Sequence, residues 1–136
     1  CDTAFAEVMR RCAEPRPGQD GTWITTVMME AYVRLAEHGH AHSVEVWQGN
    51  SIVAGLYGIA IGKVFFGESM FSRVTDASKI CLVFLVDHLR QKQFQLLDSQ
   101  YLNPHLVQFG AYEITSSEYQ SLLDKALEGF KKPWSK

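Results

Sequence analysis

An apolar stretch interrupted by glycines, between residues 44 and 71, constrains the fold of this chain more than any other feature. Val44 and Val46 alternate with more polar or amphipathic neighbours, which is the two-residue period of a half-buried strand. Two glycine-containing dipeptides at residues 49–50 and 62–63 are plausible tight turns. The stretch therefore predicts an antiparallel meander, with strands around Val44–Val46, at Ile52–Ile61 and at Val64–Phe71.

Three glycines, Gly55, Gly58 and Gly67, lie inside these predicted strands. A glycine in a strand interior has no side chain to pack, and it often marks a β-bulge or a close approach between backbones. We therefore expect the meander to be irregular at these positions.

The segments on either side of the meander have helical periodicity. Phe94–Leu97 is a short predicted strand that follows a helix, so a crossover would place it parallel to the preceding strand. The predicted class is α+β, with helices covering the sheet. The helix from Asp76 or Ser78 to Lys92 is apolar on almost every face, so we expect it to be heavily buried. The other predicted helices are Asp2–Glu14, Thr25 (N-cap) to Gly39 with Met28, Ala31, Tyr32 and Leu35 buried, Asn103–Phe109, and Ser116 or Ser117 to Leu127 with Leu122, Leu123 and Ala126 buried.

The bulk composition bounds the class of protein. At 136 residues we expect one domain, with a helix and loop at 1–20 and a basic tail at 128–136 that carries Lys131, Lys132 and Lys136. No apolar run approaches the ~20 residues of a membrane helix. Cys1, Cys12 and Cys81 are widely spaced, which is typical of reduced thiols in a cytosolic protein. A formal net charge of -2 gives no global nucleic-acid footprint, so any RNA contact must be local.

Two carboxylates and an amide, Glu68, Asp98 and Gln100, lie at the ends of strand-like runs, where side chains from separate strands can converge. Each has a structural interpretation as well: Asp98 as the cap of a turn, Glu68 in an ion pair and Gln100 as a surface amide. The histidines at 38, 40 and 42 have no cysteine or carboxylate at a motif spacing, so we expect no metal site.

The motif residues, in this order of elements, resemble the catalytic domain of the leucyl/phenylalanyl-tRNA–protein transferases. The resemblance runs from Asp2 to about Leu127, and Gly67-Glu68-Ser69-Met70-Phe71-Ser72 is its most specific part. The matching segments are Gly21-Thr22-Trp23-Ile24, residues 39–47, Gly55-Leu56-Tyr57-Gly58, residues 66–73, Ala77-Ser78-Lys79 and residues 97–103.

The resemblance implies an acetyltransferase-like (GNAT) fold and transfer of Leu, Phe or Met from aminoacyl-tRNA to the N-terminal Arg or Lys of a protein, which marks that protein for degradation. It places Glu68 on the aminoacyl α-amino group, and Asp98 and Gln100 on the incoming amine and the reacting carbonyl. Asp98 suits an orienting role, and it suits a base only if burial raises its pKa. The junction at residues 71–78 has no glycine, unlike a CoA-binding loop, so no cofactor is expected.

The resemblance also implies a pocket for the aminoacyl side chain and contacts to tRNA. The pocket positions also suit an ordinary core, and Arg73 and Lys79, the possible tRNA contacts, also suit a solvated face. The implied pocket residues are Leu56, Gly67, Met70, Leu82, Leu85, Leu89 and Leu97.

Two rival functions remain open from the sequence: a CoA-dependent N-acyltransferase on the same fold, and a non-catalytic module that binds basic protein N-termini. The resemblance further implies a cytoplasmic protein and an additional N-terminal domain, which this chain is expected to lack.

Overall fold

Four strands form one mixed sheet in the order β1-β2-β3-β4. β1, β2 and β3 are antiparallel neighbours, and β4 pairs parallel to β3. The computed structural model describes residues 1–18, 20–129 and 134. The elements are α1 (Phe5–Cys12), α2 (Thr26–Glu37), β1 (Ala41–Gln48), β2 (Ser51–Ile61), β3 (Val64–Ser72), α3 (Ala77–Gln91), β4 (Leu96–Asp98), α4 (Pro104–Val107) and α5 (Ser116–Leu127). The predicted α+β class, the meander and the parallel crossover strand are confirmed.

Side-chain caps fix where three of the helices begin. The Thr25 hydroxyl accepts a hydrogen bond from the Met28 amide, as the sequence predicted. Thr115 and Glu118 form a capping box at the start of α5, and the side chain of Asn103 caps α4. These caps satisfy amides that have no partner within the helix, so each loop enters its helix at a defined residue.

Helices cover both faces of the sheet. On one face, α3 packs on the main core, which includes Val44, Leu56 and Phe65. On the other face, α1 packs over Tyr57 through Val8 and Met9. None of the described helices is long and apolar enough to cross a membrane. All three cysteines are free thiols.

The prediction that α3 is buried on almost every face is wrong. Ile80, Val83 and Phe84 are 57%, 58% and 46% exposed, because α3 contacts the sheet with one face and no described element covers the other. The predicted burial of Met28, Ala31, Tyr32 and Leu35 is only partial, because α2 lies outside α1 and β1. Leu122 of α5 is exposed, although Ala126 is buried as predicted. The predicted basic tail at Lys131, Lys132 and Lys136 lies outside the described residues.

The first strand begins at Ala41, and its residues up to Val44 are buried without alternation. Both of its faces are covered there, because α3 lies on one side and α1 and α2 lie on the other, and the N-terminal Asp2 bonds to its free edge. The Asp2 amide donates to the Ser43 carbonyl at 3.0 Å, and Trp134 stacks on His42. Burial on both sides hides the two-residue period that the sequence shows farther along the strand.

A β-bulge in β3 changes which residues face each side of the sheet. Tyr57 pairs with Ser69 and Gly58 pairs with Gly67, so Glu68 is the extra residue of the bulge. Phe65 and Met70 accordingly both pack towards α3, although residues five apart in a regular strand face opposite sides.

Gly58 makes this bulge possible. A Cβ atom on Gly58 would lie 2.2 Å from the carbonyl oxygen of Phe66 and 2.6 Å from the ring of Phe65. The backbones of β2 and β3 therefore approach more closely at this point than any other residue type permits.

We expect Gly58→Ala to lower the free energy of unfolding by about 1–3 kcal/mol, because the new methyl group must displace the Phe66 carbonyl or the Phe65 ring. Urea denaturation would measure the change. The matched control is Gly67→Ala, whose Cβ would lie an ordinary 3.6 Å from the Asp98 carbonyl oxygen. That control should stay within about 0.5 kcal/mol of wild type, and equal effects of the two substitutions would contradict the role of Gly58.

Candidate active site

The candidate site lies where β3 and β4 separate. Their parallel pairing runs from Val64 with Leu96 to Phe66 with Asp98 and then stops. β3 continues to Ser72, whereas the chain after Asp98 turns away from it. A gap therefore opens beside residues 67–70, and the loop at residues 99–101 forms its other side.

Gln100 ties this loop to β3 across the gap. Its side-chain amide donates to the Gly67 carbonyl at 2.9 Å, and its backbone amide donates to Asp98 Oδ1 at 2.7 Å. Gln100 has a φ of +67°, in the left-handed region that non-glycine residues rarely occupy. Asp98 thus caps the turn, as one interpretation of the sequence predicted, and it holds Gln100 in a strained conformation.

The second oxygen of Asp98 is bound from another element. Tyr119 of α5 donates its hydroxyl to Asp98 Oδ2 at 2.7 Å. This hydrogen bond, helped by burial, raises the pKa of Tyr119 to about 12. Asp98 is therefore positioned by the turn on one side and by α5 on the other. The sequence analysis missed Tyr119 as a site residue, because only the fold brings α5 to the end of β4.

Glu68 stands between two cavities. One is the apolar pocket, a cavity of about 120 Å³ between β3, α3 and the loop after β4. The other is the polar groove, a cavity of about 730 Å³ that Arg16, Trp23 and Gln100 help to line. Glu68, Ser69 and Tyr101 line both cavities, and Glu68 makes no ion pair within the described residues. The bulge thus places an unpaired carboxylate at the junction of an apolar and a polar cavity.

Two phenols lie near the Glu68 carboxylate. Burial raises the pKa of Tyr32 to about 12, and the charge and hydrogen bonding of Glu68 add to this effect. Burial also raises the pKa of Tyr57, with contributions from the charges of Cys12 and Glu68. Both phenols therefore stay protonated at neutral pH.

The structure brings six of the seven predicted pocket residues to the wall of the apolar pocket. Leu56, Leu82 and Leu85 are also part of the main core, so the two interpretations of these positions are compatible. Leu89 does not line the pocket: it lies one turn after Leu85, deep in the same core. The predicted residues in the wall are Leu56, Gly67, Met70, Leu82, Leu85 and Leu97, and those that the sequence analysis did not assign to it are Tyr57, Glu68, Ser69, Ser99, Tyr101, Asn103 and Leu106.

Two aromatic side chains in the polar groove are strongly exposed. Trp23 and Tyr101 are exposed for 58% and 69% of their surface, in a part of the chain that lines a concave site. Cys12 lines the same groove, and burial raises the pKa of its thiol to about 12, so it is not a nucleophile at neutral pH. The groove thus offers flat aromatic surfaces rather than a reactive thiol.

The remaining predicted contacts are engaged within the protein. Arg73 forms an ion pair with Glu14, and Lys79 pairs with Asp76 at 2.7 Å. The histidines at 38, 40 and 42 do not come together: His42 bonds to Asp2, and His38 contacts the Arg34 carbonyl. Across residues 1–18, 20–129 and 134, no three His, Cys, Asp or Glu side chains are grouped as metal ligands.

Comparison with known proteins gives a consistent match. A family model described as leucyl/phenylalanyl-tRNA protein transferase matches residues 1–124. Among curated relatives with the name leucyl/phenylalanyl-tRNA–protein transferase, one from Stutzerimonas stutzeri is 56% identical over 127 residues. The matched region covers 93% of this chain and 56% of the length of that relative. Another, from Nitrobacter winogradskyi, is 53% identical over 128 residues, and the matched region covers 94% of this chain and 57% of the length of that relative. The chain spans about half the length of the curated relatives it matches.

We expect Tyr119→Phe to lower the free energy of unfolding by about 1 kcal/mol at neutral pH, because it removes a partly exposed hydrogen bond to a carboxylate. The folded pKa of about 12 lies above the usual value of 10.0, so this contribution is present below pH 10 and is lost as the pH rises through 12. Denaturation of both proteins from pH 7 to pH 12 would measure the difference. Tyr112→Phe, at an exposed phenol, is the control and should change nothing. A difference that does not shrink between pH 10 and pH 12 would contradict this hydrogen bond.

Proposed function

Because this chain belongs to the leucyl/phenylalanyl-tRNA–protein transferase family, we propose that it carries the catalytic centre of an enzyme that moves Leu, Phe or Met from aminoacyl-tRNA to the N-terminal Arg or Lys of a protein. Such a transfer marks the acceptor for degradation. The observation that carries the proposal is the position of Glu68 between the apolar pocket and the polar groove, beside the turn that holds Asp98 and Gln100.

The donor amino acid occupies the apolar pocket. A cavity of about 120 Å³ with leucine and methionine walls suits one apolar side chain that is not branched at its Cβ atom, such as that of Leu, Phe or Met. Glu68 at its rim pairs with the α-ammonium group of the donor, which fixes the ester carbonyl over the gap. Such a pocket discriminates only modestly between side chains of different size, because one methylene group changes the binding free energy by only ~1–3 kcal/mol.

Asp98 and Gln100 position the acceptor amine. Each Asp98 oxygen already accepts one hydrogen bond, from the Gln100 amide and from Tyr119, and each retains a lone pair for the incoming amine. In the reaction the neutral amine attacks the ester carbonyl and the C–N bond forms. The bond to the ribose oxygen breaks, and that oxygen takes up the proton that the attacking nitrogen loses. We assign Asp98 the role of orienting group, because alignment of two reactants can by itself contribute several kcal/mol.

We further propose that residues 1–136 form one GNAT-like catalytic domain of a cytoplasmic enzyme that needs no cofactor. The mixed sheet supports the fold, since its meander and parallel fourth strand have the order expected from the resemblance. The glycine-free junction at residues 71–78 supports aminoacyl-tRNA rather than CoA as the donor. The N-terminal domain known in this family is proposed to supply further tRNA contacts.

We expect Glu68→Gln and Asp98→Asn each to reduce kcat/KM for transfer of Leu from charged tRNA to an Arg-initiated peptide by tenfold or more, because each removes the charge that holds an amine. The measurement is peptide extension, followed by mass spectrometry, with this chain and with a version that carries the family's N-terminal domain. Asp87→Asn, on an exposed position of α3, is the matched control. A loss of less than about tenfold in either variant would remove that residue from the mechanism.

The rival functions make different predictions in binding assays. We expect no saturable binding of acetyl-CoA in calorimetry, because the α3 junction offers no glycine loop for the pyrophosphate. Micromolar acetyl-CoA binding would instead support the acyltransferase. Tight binding of an Arg-initiated peptide without any turnover would support the non-catalytic module.

A further inference from the structure

A third cavity lies at the end of β3, and we call it the arginine groove. Its volume is about 570 Å³, and it is formed by the segment after α1, the end of β3 and the start of α3. Its lining includes Arg11, Arg16, Arg73, Glu14, Ser78 and His105. No step of the proposed function uses this groove.

The arginine groove is locally positive although the chain is acidic overall. Three guanidinium groups and one carboxylate line it, whereas the formal net charge of the whole chain is -2. Arg16 donates to the Met70 carbonyl at 2.8 Å and forms no ion pair within the part of the chain that the structure describes. Arg11 and Arg73 pair with Glu7 and Glu14 and retain further donors. Such a patch attracts anions locally, without a basic sequence.

The arginine groove shares lining residues with both cavities at Glu68. Met70 lines the arginine groove and the apolar pocket, while Arg16 and Glu14 line the arginine groove and the polar groove. Along β3, Ser72 lies four residues after Glu68, which is about 13 Å at ~3.3 Å per residue. A chain whose end reacts at Glu68 can therefore continue into this groove.

We propose that the arginine groove binds phosphodiester groups that precede the terminal nucleoside of the aminoacyl-tRNA. A guanidinium group can donate two parallel hydrogen bonds to the two free oxygens of a phosphodiester. Proteins commonly bind single-stranded nucleic acids in a basic groove next to exposed aromatic side chains. Trp23 and Tyr101 of the polar groove are such side chains. This inference rests on the proposed function, because it takes the ester end of the RNA to lie at Glu68.

The position of the groove favours RNA over the acceptor protein. The arginine groove shares Met70 with the apolar pocket, where the donor amino acid is proposed to bind, whereas Asp98, the proposed acceptor group, lines none of the three cavities. An acceptor with a basic N-terminus would also meet three like charges in this groove. The RNA strand that carries the donor amino acid is negatively charged, opposite to the groove. Its 3′ end is proposed to lie at Glu68, next to the groove.

The test compares two stable analogues of the donor, one without phosphate and one that also carries the two preceding nucleotides with their phosphodiester groups. One is leucyl-adenosine with an amide in place of the ester, and the other is the same group at the end of a CCA trinucleotide. Calorimetry at several salt concentrations gives the affinity of each for wild type, Arg16→Gln, Arg73→Gln and the charge-retaining Arg73→Lys. Arg90→Gln, which changes an exposed arginine of α3 outside the groove, is the control. Thermal denaturation verifies that each variant is folded.

We expect wild type to bind the trinucleotide more tightly than the nucleoside. Arg16→Gln and Arg73→Gln should each reduce that advantage on the order of tenfold at low salt and lower the slope of log K against log salt by about 0.7. Arg73→Lys should keep the salt slope, and neither Arg73 variant should change binding of the phosphate-free nucleoside, because Arg73 lines the arginine groove but neither the polar groove nor the apolar pocket. If both glutamine variants still bind the trinucleotide more tightly than the nucleoside by the same factor as wild type, the arginine groove does not bind the phosphodiester groups. The proposed function would be unaffected by that result.

Other outcomes separate the two proposals. Failure of wild type to bind the phosphate-free nucleoside would contradict the proposed function, and the inference would fall with it. Binding of an aspartate-rich peptide that both glutamine variants lose, with trinucleotide affinity unchanged, would assign the groove to a protein partner and overturn the RNA assignment.

Discussion

Gly58 lacks the Cβ atom that would overlap the Phe66 carbonyl, and this lets β3 carry one residue more than β2 opposite it. The extra residue is Glu68, so a backbone constraint on one strand places the carboxylate of the next. The same bulge turns Met70 towards α3, where it forms part of the apolar pocket. The part of the candidate site that contains Glu68 and Met70 therefore depends on one close approach between two strands.

The part of the candidate site that contains Asp98 and Gln100 depends on hydrogen bonds between elements far apart in sequence. Asp98 receives the amide of Gln100 and the hydroxyl of Tyr119, and Gln100 reaches back to the carbonyl of Gly67. These bonds connect α5, β4 and β3 across the gap where strand pairing stops. Without them the loop after β4 would have no fixed position relative to Glu68.

Several features followed from local sequence pattern. The strands around Val44, at Ile52–Ile61 and at Val64–Phe71 came from two-residue periodicity and glycine turns, and these signals involve only neighbouring residues. Thr25 was recognised as a helix cap for the same reason. Glu68, Asp98 and Gln100 were recognised at strand ends and by family resemblance, and the fold places them around one gap.

Other features were beyond such patterns. The burial of α3 was overestimated, because periodicity records which residues are apolar and not which elements cover them. Leu89 was assigned to the pocket, although the pocket ends one helical turn earlier. Tyr119 carried no local signal, since its partner Asp98 lies 21 residues away.

The sequence by itself determined the order of the elements, the Thr25 cap of α2, and the chemical types that the site contains. Only the tertiary structure decided that Glu68 is the bulged residue, that both oxygens of Asp98 are bound, and that three arginines meet beside the pocket. The reason is the range of the interactions. Propensity, capping and turns depend on residues within a few positions of each other, whereas strand register, cavities and local charge depend on contacts that form only when distant segments pack.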